Sequence, residues 1–310
     1  MNAELETAHH KNKKFAVYAG YAAIGISCLL ILIKSIAYFE SGSASILSSL
    51  TDSVVDSVVS LMALASIYYA QRPADEDHRW GHGKMEAVSA LFQAAMIAGG
   101  GVFLVMEAIS RFIIPVPVSH QMLGIAVMIV SIILSIILVA IQRYALAKTD
   151  SLAVEADSAH YGSDIIINGG VLVILLLSYY GAPHWIDPLF ALGVAAFLGK
   201  LSFEIASKAM NMLMDRELPT EDREKIIEII TGQEGVLDMH DLRTYRSGPA
   251  VVMTFDIEVD EDLLLKDAHA IALKVEKKLL ALHPGAEILI HVDPAGSPED
   301  SRHRIKGVHH

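Results

Sequence analysis

The chain has 310 residues, 53% of them hydrophobic, with a formal net charge of −12 and a single cysteine, Cys28. So large an apolar share excludes an ordinary water-soluble globule and points to a polytopic membrane protein with a smaller polar portion. The acidic balance excludes nucleic acid as a partner. The lone cysteine, set in an apolar run, excludes a disulfide framework and a thiolate metal cluster.

A spanning helix needs about 20 mainly apolar residues. The first candidate, Phe15–Phe39, follows Lys11, Lys13 and Lys14. It is longer than a signal-peptide core and lacks a convincing cleavage site, so it is read as a retained span. Further spans follow at Ala44–Ala70, Ala87–Phe112, Met122–Ile141, Ser151–Tyr180 and Trp185–Met210. Turn chemistry separates them at Ser41-Gly42-Ser43, Arg72-Pro73, Pro115-Val116-Pro117 and Gly181-Ala182-Pro183. Short connections on one side carry Lys11, Lys13, Lys14, Arg72, Arg79, Lys84, Arg143 and Lys148. Those on the other side, near Glu40, His120 and His184, carry none. The positive-inside rule then places both termini, and the last hundred residues, in the cytoplasm.

After Asp215 the periodicity changes. Thr220–Thr231 predicts a helix with Thr220 as its N-cap. Val236–Arg246 and Val251–Val259 predict strands joined by a Ser247-Gly248-Pro249 turn, Leu263–Leu282 an amphipathic helix, and Ala286–Val292 a third strand. The expectation is a small α+β domain, an antiparallel sheet with helices on one face. Residues 211–310 hold 20 Asp and Glu against 12 Lys and Arg, as a separate soluble domain would. The organisation is thus residues 1–14 as a cytoplasmic segment, 15–210 as a six-helix membrane domain, 211–294 as a cytoplasmic domain, and 295–310 as a polar, disordered tail. That tail holds His303, His309 and His310.

An ionisable group at mid-membrane costs on the order of 2.5–3.5 kcal/mol even on the gentler insertion scale, so it needs a reason. The second span holds Asp52 and Asp56; the fifth holds His160 and Asp164. Each pair is spaced i, i+4 and so occupies one helix face. Two such faces meeting would offer three carboxylates and one imidazole, a complete ligand set for a tetrahedral Zn²⁺. Packing could explain one aspartate, but two carboxylates four residues apart repel unless a proton or cation lies between them. Thr51, Ser53 and Asn168 are read as supporting polar groups.

These residues carry a family resemblance. The chain resembles the cation diffusion facilitator family and is similar to its YiiP-type branch of bacterial zinc and ferrous-iron efflux proteins, over about residues 15–294. The likeness is densest at Ser41-Gly-Ser-Ala-Ser, Thr51-Asp-Ser-Val-Val-Asp56, Arg79-Trp-Gly-His-Gly-Lys84, Glu155-Ala-Asp-Ser-Ala-His160, Leu213-Met-Asp-Arg-Glu217, His240-Asp-Leu-Arg-Thr244 and Ile290-His-Val-Asp-Pro294. It implies a homodimer in the bacterial inner membrane that exchanges one metal ion for protons by alternating access. It also implies a ferredoxin-like, metallochaperone-like cytoplasmic domain, and it assigns Asp52, Asp56, His160 and Asp164 to the transport site.

Asp75, His78 and His82, spaced three then four, suit one face of a short helical turn, and the resemblance makes them a second metal site. In the cytoplasmic domain the resemblance assigns His240, Asp256, His269, His291 and Asp293 to a binuclear site at the dimer interface. His291 and Asp293 stand i, i+2 on one face of a strand. The family position of Asp256 is often His, and Val292 replaces a polar residue. Lys84 and Asp215 match a charge pair joining the cytoplasmic ends of the third and sixth spans.

The expected function is export of Zn²⁺, with Fe²⁺, Cd²⁺ and Co²⁺ as further candidates, against protons and through membrane lipid. Zinc also serves as a structural or regulatory ion. Three oxygens and a nitrogen disfavour Cu⁺, which prefers thiolates. An intramembrane metalloprotease would need a catalytic base and a His-Glu-x-x-His motif, which the sequence lacks, so no enzyme is expected. A membrane-anchored sensor would have no use for ligand pairs deep in two spans.

Overall fold

The computed structural model describes residues 2–113, 122–181, 183 and 185–296. The expected Pro115-Val116-Pro117 break, His120, His184 and most of the tail, including His303, His309 and His310, lie outside the described residues. The chain forms two compact units, Asn12–Met210, and Met1–Lys11 with Asn211–His310.

Among the described residues, six helices are long and apolar enough to cross a membrane: α1 (Asn2–Ser41), α2 (Ala44–Ala70), α3 (Met85–Ile113), α4 (Met122–Leu146), α5 (Leu152–Tyr179) and α6 (Ile186–Leu213). The chain is a multi-pass membrane protein. Leu32, Phe39, Phe103, Ile113 and Phe203 are exposed on these helices; acyl chains solvate such side chains where water would not. Between α1 and α2, Gly42 adopts φ +58° and donates its N–H to the Tyr38 carbonyl at 2.8 Å, a left-handed helix stop that favours glycine.

The α5 helix is the hub, packing against α2, α3 and α4. Its first turn is held by Glu86, a fully buried carboxylate that accepts from the Ser151 hydroxyl (2.7 Å) and the Ala153 N–H (3.4 Å). A carboxylate there satisfies otherwise orphaned N–H groups and complements the helix dipole. On α5, a Cβ at Gly170 would overlap the Phe190 ring of α6, so a larger residue there would have to displace that ring. These contacts fix the face of α5 that carries His160 and Asp164 in the membrane unit.

The second unit is an α+β domain: α7 (Thr220–Thr231), β1 (Asp238–Ser247), β2 (Ala250–Val259), α8 (Leu265–Leu282) and β3 (Glu287–Pro294). Ile226, Ile230, Val275 and Leu279 of the helices share one core with Phe255 and Ile257 of the sheet. Two expectations need correcting. The sheet, ordered β1-β2-β3, is mixed: β1 and β2 are antiparallel, but β3 runs parallel to β2. A hairpin turn reverses direction between β1 and β2, whereas the α8 crossover returns the chain to the end at which β2 began. Thr220 is also not the N-cap. Pro219 holds that position in an extended conformation, and Thr220 is the first helical residue.

Candidate metal centres

The membrane centre is built from α2 and α5. Asp56 and His160 meet with Oδ1 and Nε2 3.0 Å apart, and Asp164 completes a set of three donor atoms all within 4.8 Å of one another. Tetrahedral coordination at about 2.1 Å places donors ~3.4 Å apart, so a small rotamer adjustment would close this set around an ion. Asp52 is outside the three-donor set but lines the same cavity, of about 310 Å³, with Asp56 and Asp164. The Nδ1 atom of His160 is buried without a hydrogen-bond partner among the described residues. Thr51 and Asn168 return hydrogen bonds to carbonyls four residues back, and Ser53 and Asn168 both line the cavity.

Two charged residues here went unread in the sequence. Lys34 of α1, 7% exposed, donates to the Ser49 carbonyl (3.0 Å) and the Ser53 hydroxyl (2.6 Å) and lines the cavity. Asp157 is 3% exposed and accepts from the Ser60 hydroxyl (3.1 Å) and the Gln142 amide (2.6 Å). The signal for both was present, since each is an ionisable residue inside an apolar span.

In the loop between α2 and α3, Asp75, His78 and His82 come together, but not on the expected helical turn. Pro73 and Gly81, the latter at φ +77°, flank an irregular loop. Asp75 Oδ1 organises it, accepting the backbone N–H groups of Asp77 (3.1 Å) and His78 (2.7 Å). The same carboxylate lies 3.2 Å from a ring nitrogen of each histidine. The His78 backbone N–H is the main influence holding Asp75 below the usual carboxylate range, and the two imidazoles act in the same direction. His82 is buried against Tyr69, and its Nδ1 has no partner among the described residues. An unpartnered nitrogen beside two further donors fits a metal ligand set.

In the second unit, strand pairing sets His240 opposite Asp256, and Asp256 opposite His291. His240 Nε2 lies 3.6 Å from Asp256 and 3.8 Å from Asp293, and these three form one candidate set. His291 pairs with Asp293 at 3.1 Å and is otherwise exposed; His269 lies exposed on α8, outside the set. Burial pushes Asp256 up, against the pull of His240 and His291. Glu258, two residues beyond Asp256 on the same strand face, approaches His240 Nδ1 at 3.9 Å. Period-two alternation could have found it. Lys84 precedes α3 in the first unit and Asp215, at φ +55°, follows α6 in the second.

Comparison with known proteins matches residues 21–214 to the cation efflux transmembrane domain and residues 218–295 to the cation efflux protein cytoplasmic domain. The chain is 42% identical over 276 residues to the cation-efflux pump FieF of Citrobacter koseri, covering 89% of this chain and 92% of that one. It is 40% identical over 285 residues to the cation-efflux pump FieF of Yersinia enterocolitica, covering 92% and 95%. Among solved structures, the metal-bound C-terminal domain of the CzcD transporter from Thermotoga maritima matches 26% of this chain and all of that one. The identity is 28% and the TM-score 0.24.

Proposed function

The chain belongs to the cation efflux family, a family of transporters and not enzymes, and we propose that it exports Zn²⁺ from the cytoplasm in exchange for protons. Divalent metal cation efflux is the function the relatives support. Fe²⁺, Cd²⁺ and Co²⁺ are the other ions that the same ligand chemistry accommodates. The observation carrying the proposal is the meeting of Asp56, His160 and Asp164 on two membrane helices. Asp52, on the same cavity wall, is the proposed fourth ligand.

Proton coupling follows from the ligand chemistry. Metal binds neutral imidazole and ionised carboxylates, so its arrival displaces protons and returning protons expel it. His160 is the proposed proton carrier, because imidazole changes charge near physiological pH. Alternating access would expose this site first to the cytoplasm and then to the far side. The proposed setting is a homodimer in a bacterial inner membrane with both termini cytoplasmic. The proposed roles of the loop set and the cytoplasmic set are capture, regulation or structural support through bound divalent ions. Asp75, His78 and His82 would hold one such ion. His240, Asp256 and Asp293, together with His269 and His291, would serve the other.

Purified protein in vesicles with an imposed pH gradient tests the reading. Zinc flux should follow the gradient and collapse when it is dissipated; zinc flux indifferent to the gradient would refute proton exchange.

A further inference from the structure

One charged group in the membrane cavity is not a metal ligand. Lys34 comes from α1, a helix that supplies no donor to the site, yet its ammonium shares the cavity with Asp52, Asp56 and Asp164. Its two bonds, to the Ser49 carbonyl and the Ser53 hydroxyl, lie one turn apart on α2, alongside the two aspartates. Both acceptors are uncharged, and a neutral donor would satisfy them at a lower cost of burial than an ammonium in a span. The three carboxylates are what demand a cation.

We propose that Lys34 is the charge-balancing residue of the transport site, its fixed positive charge limiting the site to one divalent ion and keeping that ion releasable. This rests on the assignment of the site given above. Three carboxylates carry three negative charges, and one ammonium with one divalent cation offsets all of them. Net charge is heavily penalised at low dielectric, so the loaded site is favoured as a neutral unit. Asp157 stands outside this balance, because Ser60 and Gln142 engage its oxygens and it does not line the cavity. Without the ammonium, the ion would face uncompensated carboxylates and be held too tightly to leave.

The test is a zinc titration of the full-length protein in a background where Asp75, His78, His82, His240, Asp256, His269, His291 and Asp293 are alanine, alongside flux in vesicles. Lys34→Gln and Lys34→Met should each bind zinc at least roughly tenfold more tightly, the repulsion between ammonium and ion being gone, and turn over more slowly at saturating metal. Lys34→Arg should keep parental affinity and rate. A merely structural lysine would give weaker binding and lower flux together. Unchanged or weaker binding in the neutral variants overturns the proposal, and so does failure of both to fold. Asp56→Ala in the same background should lose binding. If it binds zinc as its parent does, the site assignment itself has failed, whatever the Lys34 variants show.

Discussion

Asp56→Asn isolates charge from shape at the membrane centre. The amide is isosteric and keeps an oxygen facing His160 Nε2, now 3.0 Å from the carboxylate. Packing around a half-buried side chain is therefore preserved, and the thermal midpoint should stay close to that of the parent. What is lost is one of the negative charges proposed to hold the ion. Truncating one partner of a buried, hydrogen-bonded charge pair costs about 2–5 kcal/mol. At 1.4 kcal/mol per decade, a mid-range loss of about 3 kcal/mol weakens binding roughly a hundredfold. Zinc uptake by vesicles, measured below saturation, should fall by the same order, and raising the metal concentration should recover part of it. Asp56→Ala, which removes the donor atom as well, should show no such recovery. Folded Asp56→Asn protein transporting within a few-fold of the parent at low zinc would refute the reasoning.

Replacing Asp75, His78 and His82 together with alanine should leave vesicle transport measurable, since the loop lies outside the spans; complete loss in folded protein would place it on the permeation path. For His160→Asp, competition across metals should show preference moving from Zn²⁺ toward Mn²⁺-like ions, because carboxylates are harder ligands. Its pH profile should also change, and an unaltered preference and profile would mark His160 as structural. At the loop, Asp75 is held below the usual carboxylate range, so its contribution persists as pH falls and is lost only below the ordinary aspartate value near 4. Above about pH 5 the affinity for loop metal should therefore change with pH at the same slope in Asp75→Asn as in the parent, although weaker throughout; an altered slope there would contradict the assignment. In the cytoplasmic core, Phe255→Ala at a site 1% exposed should cost about 3–5 kcal/mol in denaturant unfolding of the full-length protein, and a loss under ~1 kcal/mol would mean the core is loosely packed.

The membrane architecture was legible in the sequence because bilayer thickness imposes a length on apolar runs that few other constraints reproduce. The Ala44–Ala70 helix runs from the first to the last residue expected. The spacing of the proposed ligand pairs was legible for a related reason. Four-residue spacing puts Asp52 with Asp56, and His160 with Asp164, on single faces whatever the tertiary arrangement. Lys34 was not legible because a long apolar run masks one charge, and Asp157 because it has no i, i+4 partner of its own beside the paired His160 and Asp164. Periodicity says which residues share a face, not which faces meet.

Composition, hydropathy and helical spacing thus determined six spans, a polar α+β domain and the two helix faces that carry the proposed ligands, all properties set within a few turns of chain. Tertiary packing decided the rest. It set Asp56, rather than Asp52, against His160, and brought an ammonium from α1 to the carboxylates of α2 and α5. The loop site closed around the Asp75 carboxylate in place of a helical turn. In the cytoplasmic domain it aligned β3 parallel to β2, which places Asp256 beside His291. At the loop the Asp75 carboxylate decides locally, by capping the backbone of Asp77 and His78; each of the other outcomes depends on the placement of one element against another distant in sequence, about which local spacing carries no information.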